Sequence, residues 1–152
     1  MGAPQVPDLA TTAAAAAEHC AARQERIERL MEALGSISSA AHEVSGTRRC
    51  LDIVAGGLGA LGFELELLPG SDDRAHLEAR RPGREAPPVV LLIAHVDAAF
   101  SLVGGPGYVL DRGVARAPGV ASMKGGVVTL LTVLDALHGL GMLSEFAWRA
   151  LV

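Results

Sequence analysis

Aromatic side chains are scarce. One Trp, one Tyr and three Phe make up 3% of the 152 residues, although half of the chain is hydrophobic. A core of stacked rings is excluded, so Ala, Val and Leu must fill the interior with glycine-mediated close approaches, which suits layered helices and sheet. Cysteine is almost absent too. Cys20 and Cys50 lie far apart in the sequence, which excludes a close Cys-pair metal motif and a disulfide framework and leaves two free thiols of a reducing compartment. Basic charge is not in excess: 13 Lys and Arg against 17 Asp and Glu give a formal charge of -4. With the arginines scattered among acids, a nucleic-acid partner is excluded. No apolar stretch reaches the roughly 20 residues of a membrane span. The opening MGAPQVPDLATTAAAAAEHC lacks the basic region of a signal sequence, and Glu18 and His19 interrupt its Ala run. A cytoplasmic chain is expected.

The length fits one domain. Residues 1–17 combine Pro, Gly and a Thr/Ala run, and a disordered tail is expected there, with the folded unit over 18–152. From Glu18 to Leu34 the positions Ile27, Leu30, Met31 and Leu34 have helical spacing, with Gly35 as the stop. A second helix is predicted over Thr47 to Leu61, weakened by Gly56, Gly57 and Gly59. Phe63, Leu65 and Leu67 alternate with Glu64 and Glu66 as a half-exposed strand does, and Ala75 to Arg81 reads as its weaker partner. The run VVLLIA, Val89 to Ala94, predicts a strand buried on both faces at the centre of the sheet. A connection through Gly104, Gly105 and Gly107 leads to a helix from Met123 to His138, and EFAWRALV closes on another strand. The expected fold class is α/β: a partial three-layer domain with a mostly parallel sheet, whose last strand lacks a covering helix and a neighbour.

Reactive groups of open α/β sheets collect beyond the carboxyl ends of strands. His95 and Asp97 stand there, two residues apart, so both side chains point the same way if the strand continues. A neutral His is a good zinc ligand, and a carboxylate beside it can hold its other ring nitrogen or orient metal-bound water. By itself the pair also reads as a capped strand end with a turn carboxylate. A second cluster, RAPGVASMKGG, places Pro118-Gly119 in a turn and opens a long apolar helix with Ser122-Met123-Lys124-Gly125-Gly126. There Lys124 adds a cation at a helix end that prefers anions.

With both motifs in this order, the chain from about Arg26 to Val152 resembles the dizinc aminoacylases, acetylornithine deacetylases, succinyl-diaminopimelate desuccinylases and glutamate carboxypeptidases (the M20 metallopeptidases). In that family a helix precedes an ALGFE-like strand, here Ala60 to Glu64. A PVLLxGHxD-like strand end follows, here Pro88 to Asp97, and then a GPGxxDxKGG turn, here Ala117 to Gly126. The resemblance implies the zinc-peptidase fold without its lid domain and carboxyl-terminal half, zinc as cofactor, and N-acyl amino acids or peptides as the substrate class. It implies His95 as a zinc ligand and Asp97 as the catalytic carboxylate that orients it and tunes metal-bound water. Ser122 falls where the family has the Asp that bridges two zinc ions, and Ala117 where it usually has Gly.

Two divalent ions about 3.5 to 4 Å apart repel strongly, and a shared carboxylate offsets that repulsion where a neutral hydroxyl cannot. Nor do these residues contain a counterpart of the family's Glu-Glu pair, further acidic ligand, lid or last His. Glu145 precedes the final strand, and Glu64, Glu66 and Glu78 belong to earlier ones. The remaining histidines have structural readings: His19 and His42 solvated, His76 in a strand near a turn, His138 at a helix end. The expectation is a truncated or degenerate metallopeptidase-family chain, inactive alone, with at most one weak zinc site at His95. One alternative is a half-subunit completed by a second polypeptide. Another is a non-catalytic scaffold that binds a partner through an open sheet edge. An uncovered last strand also implies self-association. A phosphate-binding reading of Gly56 to Gly59 fails, because those glycines lie inside a helix pattern.

Overall fold

A computed structural model of the chain describes residues 8–83, 88–102 and 107–152. Its first element corrects the expected tail. Helix α1, Leu9–Ala21, begins at Asp8, whose carboxylate accepts hydrogen bonds from the Thr11 amide (3.1 Å) and hydroxyl (2.8 Å). These bonds hold the Asp8 carboxyl below its usual range. The Ala run that argued for disorder is the strongest helix-forming composition once capped. Residues 1–7 lie outside the described part. The helix expected over Glu18 to Leu34 is split, since α1 ends at Ala21 and α2 spans Gln24–Gly35. Neither Gly nor Pro marks the break, where the amides of Ala22 and Arg23 bond back to Glu18 and Cys20 (both 3.0 Å).

Helix α3, Val44–Ala60, starts three residues before the predicted Thr47 and buries Cys50, Leu51, Val54 and Leu58. Strands β1 (Glu64–Pro69) and β2 (Ala75–Arg80) pair antiparallel, as a short turn requires. Strand β3, Val89–Ile93, is followed by a short hairpin of β4 (Val109–Asp111) and β5 (Val114–Arg116). The hairpin turns on Arg112 and Gly113, both at positive φ (49° and 78°), as a tight two-residue β-turn needs. The sequence reading had only a Gly-rich connection there, and its Gly104 and Gly105 lie outside the described residues. Helix α4, Met123–Gly139, matches its prediction to one residue, and a 3-10 turn at Met142–Glu145 leads into β6, Ala147–Leu151.

The main sheet has the order β1-β2-β6-β3. Only the β3–β6 pair, joined through the α4 crossover, is parallel, so the expected mostly parallel sheet is corrected to a mixed one. The last strand is not uncovered. It lies between β2 and β3, and its Trp148 and Ala150 are buried beneath the helices. VVLLIA, in contrast, is an edge strand: Val90 and Leu92 pack against the core, while Val89, Leu91 and Ile93 are 51%, 57% and 71% exposed. An uninterrupted apolar run does not distinguish a second buried face from one that is merely apolar and open. The open face of the sheet thus grades from Glu64, Glu66, Glu78 and Arg80 on β1 and β2 to Leu91, Ile93 and Leu151 at the β3 edge. On the other face α2, α3 and α4 enclose a core of Leu34, Val54, Leu58, Leu77, Val127, Leu134 and Trp148.

Helix α1 contributes no fully buried residue; its His19, with Arg23 of the following link and Arg26 of α2, meets one carboxylate on α4. His19 Nε2, Arg23 Nε and Arg26 Nη1 each lie 3.0 Å from Asp135. Burial opposes ionisation of Asp135, but the His19 hydrogen bond and the two guanidinium groups outweigh it and hold its carboxyl below the usual range. His19 is therefore not solvated as expected. Its side chain is 11% exposed and rests over Gly139, where a Cβ would come within 2.3 Å of the ring. Both cysteines are free, Cys20 half-buried and Cys50 buried, and no helix among the described residues is long and apolar enough to cross a membrane.

Candidate functional site

Beyond β3 the chain stays extended because its backbone finds new partners. The Ala94 amide bonds Leu151 (3.0 Å), the Ala98 amide bonds the Ser39 carbonyl (2.7 Å), and Ala98 forms a parallel bridge with Ala40. Continued alternation sends Val96 and Ala98 inward and leaves His95 and Asp97 facing out together. His95 Nδ1 lies 2.8 Å from Asp97 Oδ1, with the side chains 53% and 45% exposed. In the neutral tautomer that donates Nδ1–H to Asp97, the Nε2 lone pair points away from the carboxylate. This is the orientation a metal-ligating histidine uses.

The second motif forms the turn that starts α4. Gly119 takes a positive φ of 84°, and its carbonyl accepts from the amides of Ser122 (3.1 Å) and Lys124 (3.0 Å). Ser122 occupies the position before the helix, exposed, with its hydroxyl 3.4 Å from the Gly119 carbonyl and no side-chain cap on the helix. The turn lies against the strand end: a Cβ on Gly119 would stand 3.5 Å from that of Ala98, the residue after Asp97. The structure therefore brings the two motifs side by side.

Beneath them is a polar floor that pattern reading did not find. Glu43 accepts from the Ser38 hydroxyl (2.7 Å), the Ser101 hydroxyl (2.7 Å) and the Ala40 amide (2.8 Å), and these bonds lower its pKa from 4.5 to about 2. Ser38 also accepts from the Leu102 amide at 2.8 Å. Ser39, fully buried, donates to the Val96 carbonyl at 2.8 Å. Lys124, read from sequence as a cation at the helix end, is wholly buried, and its Nζ donates to the Ile37 carbonyl at 2.6 Å. Burial pushes the Lys124 amine down and the nearby Cys50 thiol up. A pair of serines followed by a lone Glu just ahead of a helix was the available sequence signal; the partners, some 60 to 90 residues away, were not.

A zinc pair does not fit this donor set. His95 offers one nitrogen and Ser122 a neutral oxygen, and among the described residues no three His, Cys, Asp or Glu side chains gather to hold a metal ion. Of the other histidines, His42 and His138 are exposed and His76 lies in β2, as expected.

By sequence, the chain matches no protein-family description and no curated protein. Its fold does find counterparts. The di-peptidase Dug1p of Saccharomyces cerevisiae superposes with a TM-score of 0.71 at 16% identity over 91% of this chain. Human carnosine dipeptidase 1 gives 0.73 at 15% over 90%. The chain has a partial peptidase-like fold. It spans about a third of the length of these two dipeptidases. A glutaminyl cyclase from Macrostomum lignano also superposes, with a TM-score of 0.62 at 15% identity over 99% of this chain and 43% of its own. At such identities the likeness establishes architecture, and function must be argued from the site.

Proposed function

We propose that this segment derives from a zinc amide hydrolase of the carboxypeptidase and deacylase type and, by itself, is not catalytic. The observation that carries the reading is Ser122 at the start of α4, where the resemblance calls for a bridging carboxylate, beside a His95–Asp97 pair that keeps a ligand-like geometry. Replacing a shared anion by a hydroxyl should cost more than the roughly 10- to 100-fold in metal affinity typical of losing an outer partner. Asp97 then orients His95, His95 supplies one metal nitrogen, and the site holds at most one weakly bound zinc. Zinc titration of the purified chain, with hydrolysis of N-acyl amino acids and dipeptides followed in parallel, tests this. We expect one weak site that disappears in His95→Ala, and no hydrolysis. Zinc-dependent turnover by this chain alone would overturn the proposal.

A second reading, in which another polypeptide completes the catalytic unit, is favoured by the open β3 edge and its exposed Val89, Leu91 and Ile93. The same edge supports self-association of the isolated chain and a scaffold role. Light scattering tests self-association: a concentration-independent monomer with no tendency to aggregate counts against it. A cytoplasmic setting remains part of the proposal, supported by the two free thiols.

A further inference from the structure

Three backbone segments meet under the site. They are the loop 37–40, the strand end 94–98 that carries His95 and Asp97, and the turn 117–122 that carries Ser122. The loop is stitched to the strand end by Ser39 Oγ to Val96 O (2.8 Å), Ala98 N to Ser39 O (2.7 Å) and the Ala40–Ala98 bridge. It is joined to the turn by Lys124, whose Nζ reaches the Ile37 carbonyl at 2.6 Å. The lysine stem runs over Gly119, where a Cβ would come within 3.2 Å of its Cγ and Cδ. Burying an amine costs more than burying an apolar chain of the same length, so packing alone does not account for a lysine here. A point donor on a four-carbon stem does something an apolar chain cannot: it fixes the separation between its own helix turn and one chosen carbonyl.

We propose that Lys124 is a positioning residue, which through the Ile37 carbonyl and the Ser39–Val96–Ala98 stitches holds the Ser122 turn in register with the His95–Asp97 strand end. That these two ends once formed a metal site rests on the function proposed above; the mechanical link does not. Lys124 touches neither side chain of the site and acts on both through backbone.

The test compares the parent chain with Lys124→Met and with Val127→Ala, a control that opens the core on the same helix. In Lys124→Met, hydrogen exchange at the Ala98 amide should accelerate at least tenfold, while the paired amides of Leu77 and Val152 change less than twofold. Val127→Ala should not single out Ala98. Ser122→Asp supplies the second arm, with zinc alone as the probe. It should tighten zinc binding at least tenfold with Lys124 in place or in the Val127→Ala background, and less than twofold beside Lys124→Met. Unchanged Ala98 exchange, acceleration only in step with Leu77 and Val152, or an equal zinc gain with and without Lys124 would each overturn the proposal. If Ser122→Asp gains nothing anywhere while Ala98 still loosens selectively, positioning stands and the metal reading falls. Should Lys124→Met fail to fold, Lys124→Gln, which keeps a donor on a stem too short to reach the Ile37 carbonyl, must give the same Ala98 signature, or the proposal fails.

Discussion

The floor and the rim of the candidate site are built to different standards. Below, Ser38, Ser39, Glu43 and Lys124 are all hydrogen-bonded, with partners in the stretches 37–43 and 96–102. Above, His95 and Asp97 share a single contact and Ser122 offers a loosely held hydroxyl. Buried polar groups left unpaired are costly whatever the chain does, whereas exposed groups are held in place only by what they bind. Supporting structure can therefore outlast the chemistry it supports. The rim offers a neutral hydroxyl at Ser122, while the floor fixes the backbone that presents it.

Mutations that enter the floor should have the largest effects. A Cβ at Gly46 would stand 1.7 Å from the Ser38 carbonyl, so Gly46→Ala should lose about 3 kcal/mol or more in urea unfolding, or fail to fold. Gly126, on the outer side of α4 with open space around it, is the contrast: Gly126→Ala should gain about 0.5 to 1 kcal/mol. A Gly46→Ala chain as stable as its parent would break the distinction between floor and rim. Next in size, Asp135→Asn weakens one carboxylate's hold on His19, Arg23 and Arg26 and should cost about 1 to 3 kcal/mol, felt at the end of α1 and the start of α2. Limited proteolysis near Ala22–Arg23 should accelerate while core exchange does not.

The acid limb of stability sharpens the comparison. Glu43 titrates lower in the folded chain, about 2, than its ordinary 4.5. Its contribution is thus fully present above about pH 5 and fades as pH falls towards 2. In Glu43→Gln the urea midpoint should change less over that interval than in the parent; parallel profiles would remove Glu43 from the floor. The smallest effects belong to the rim, where His95→Ala and Ser122→Ala should each stay within about 0.5 kcal/mol of the parent. A larger loss at either position would mean that the rim bears on the fold.

Sequence pattern located what repeats locally and missed what does not. The 3.6-residue spacing of α4 and the alternation of Trp148, Ala150 and Val152 were legible because each buries one face against a contiguous core. The position of VVLLIA was not, since its strand pairs only with β6, more than 50 residues on. The helix at α1 was hidden by treating alanine as filler. His95 and Asp97 were found because two residues on an extended chain share a side, and the structure places them in contact. Glu43 with Ser101, Lys124 with Ile37 and His19 with Asp135 are separated by 58, 87 and 116 residues, and no local period connects them.

The anchoring of α1 has a practical outcome. None of its thirteen residues is fully buried, and its carboxyl-terminal end is moored by His19, and by Arg23 and Arg26 just beyond it, to one carboxylate on α4. Coulombic moorings of that kind weaken as counterions accumulate, while the oily interior does not. Ionic strength, more than heat, should decide whether the leading helix travels with the body of the molecule or swings free of it.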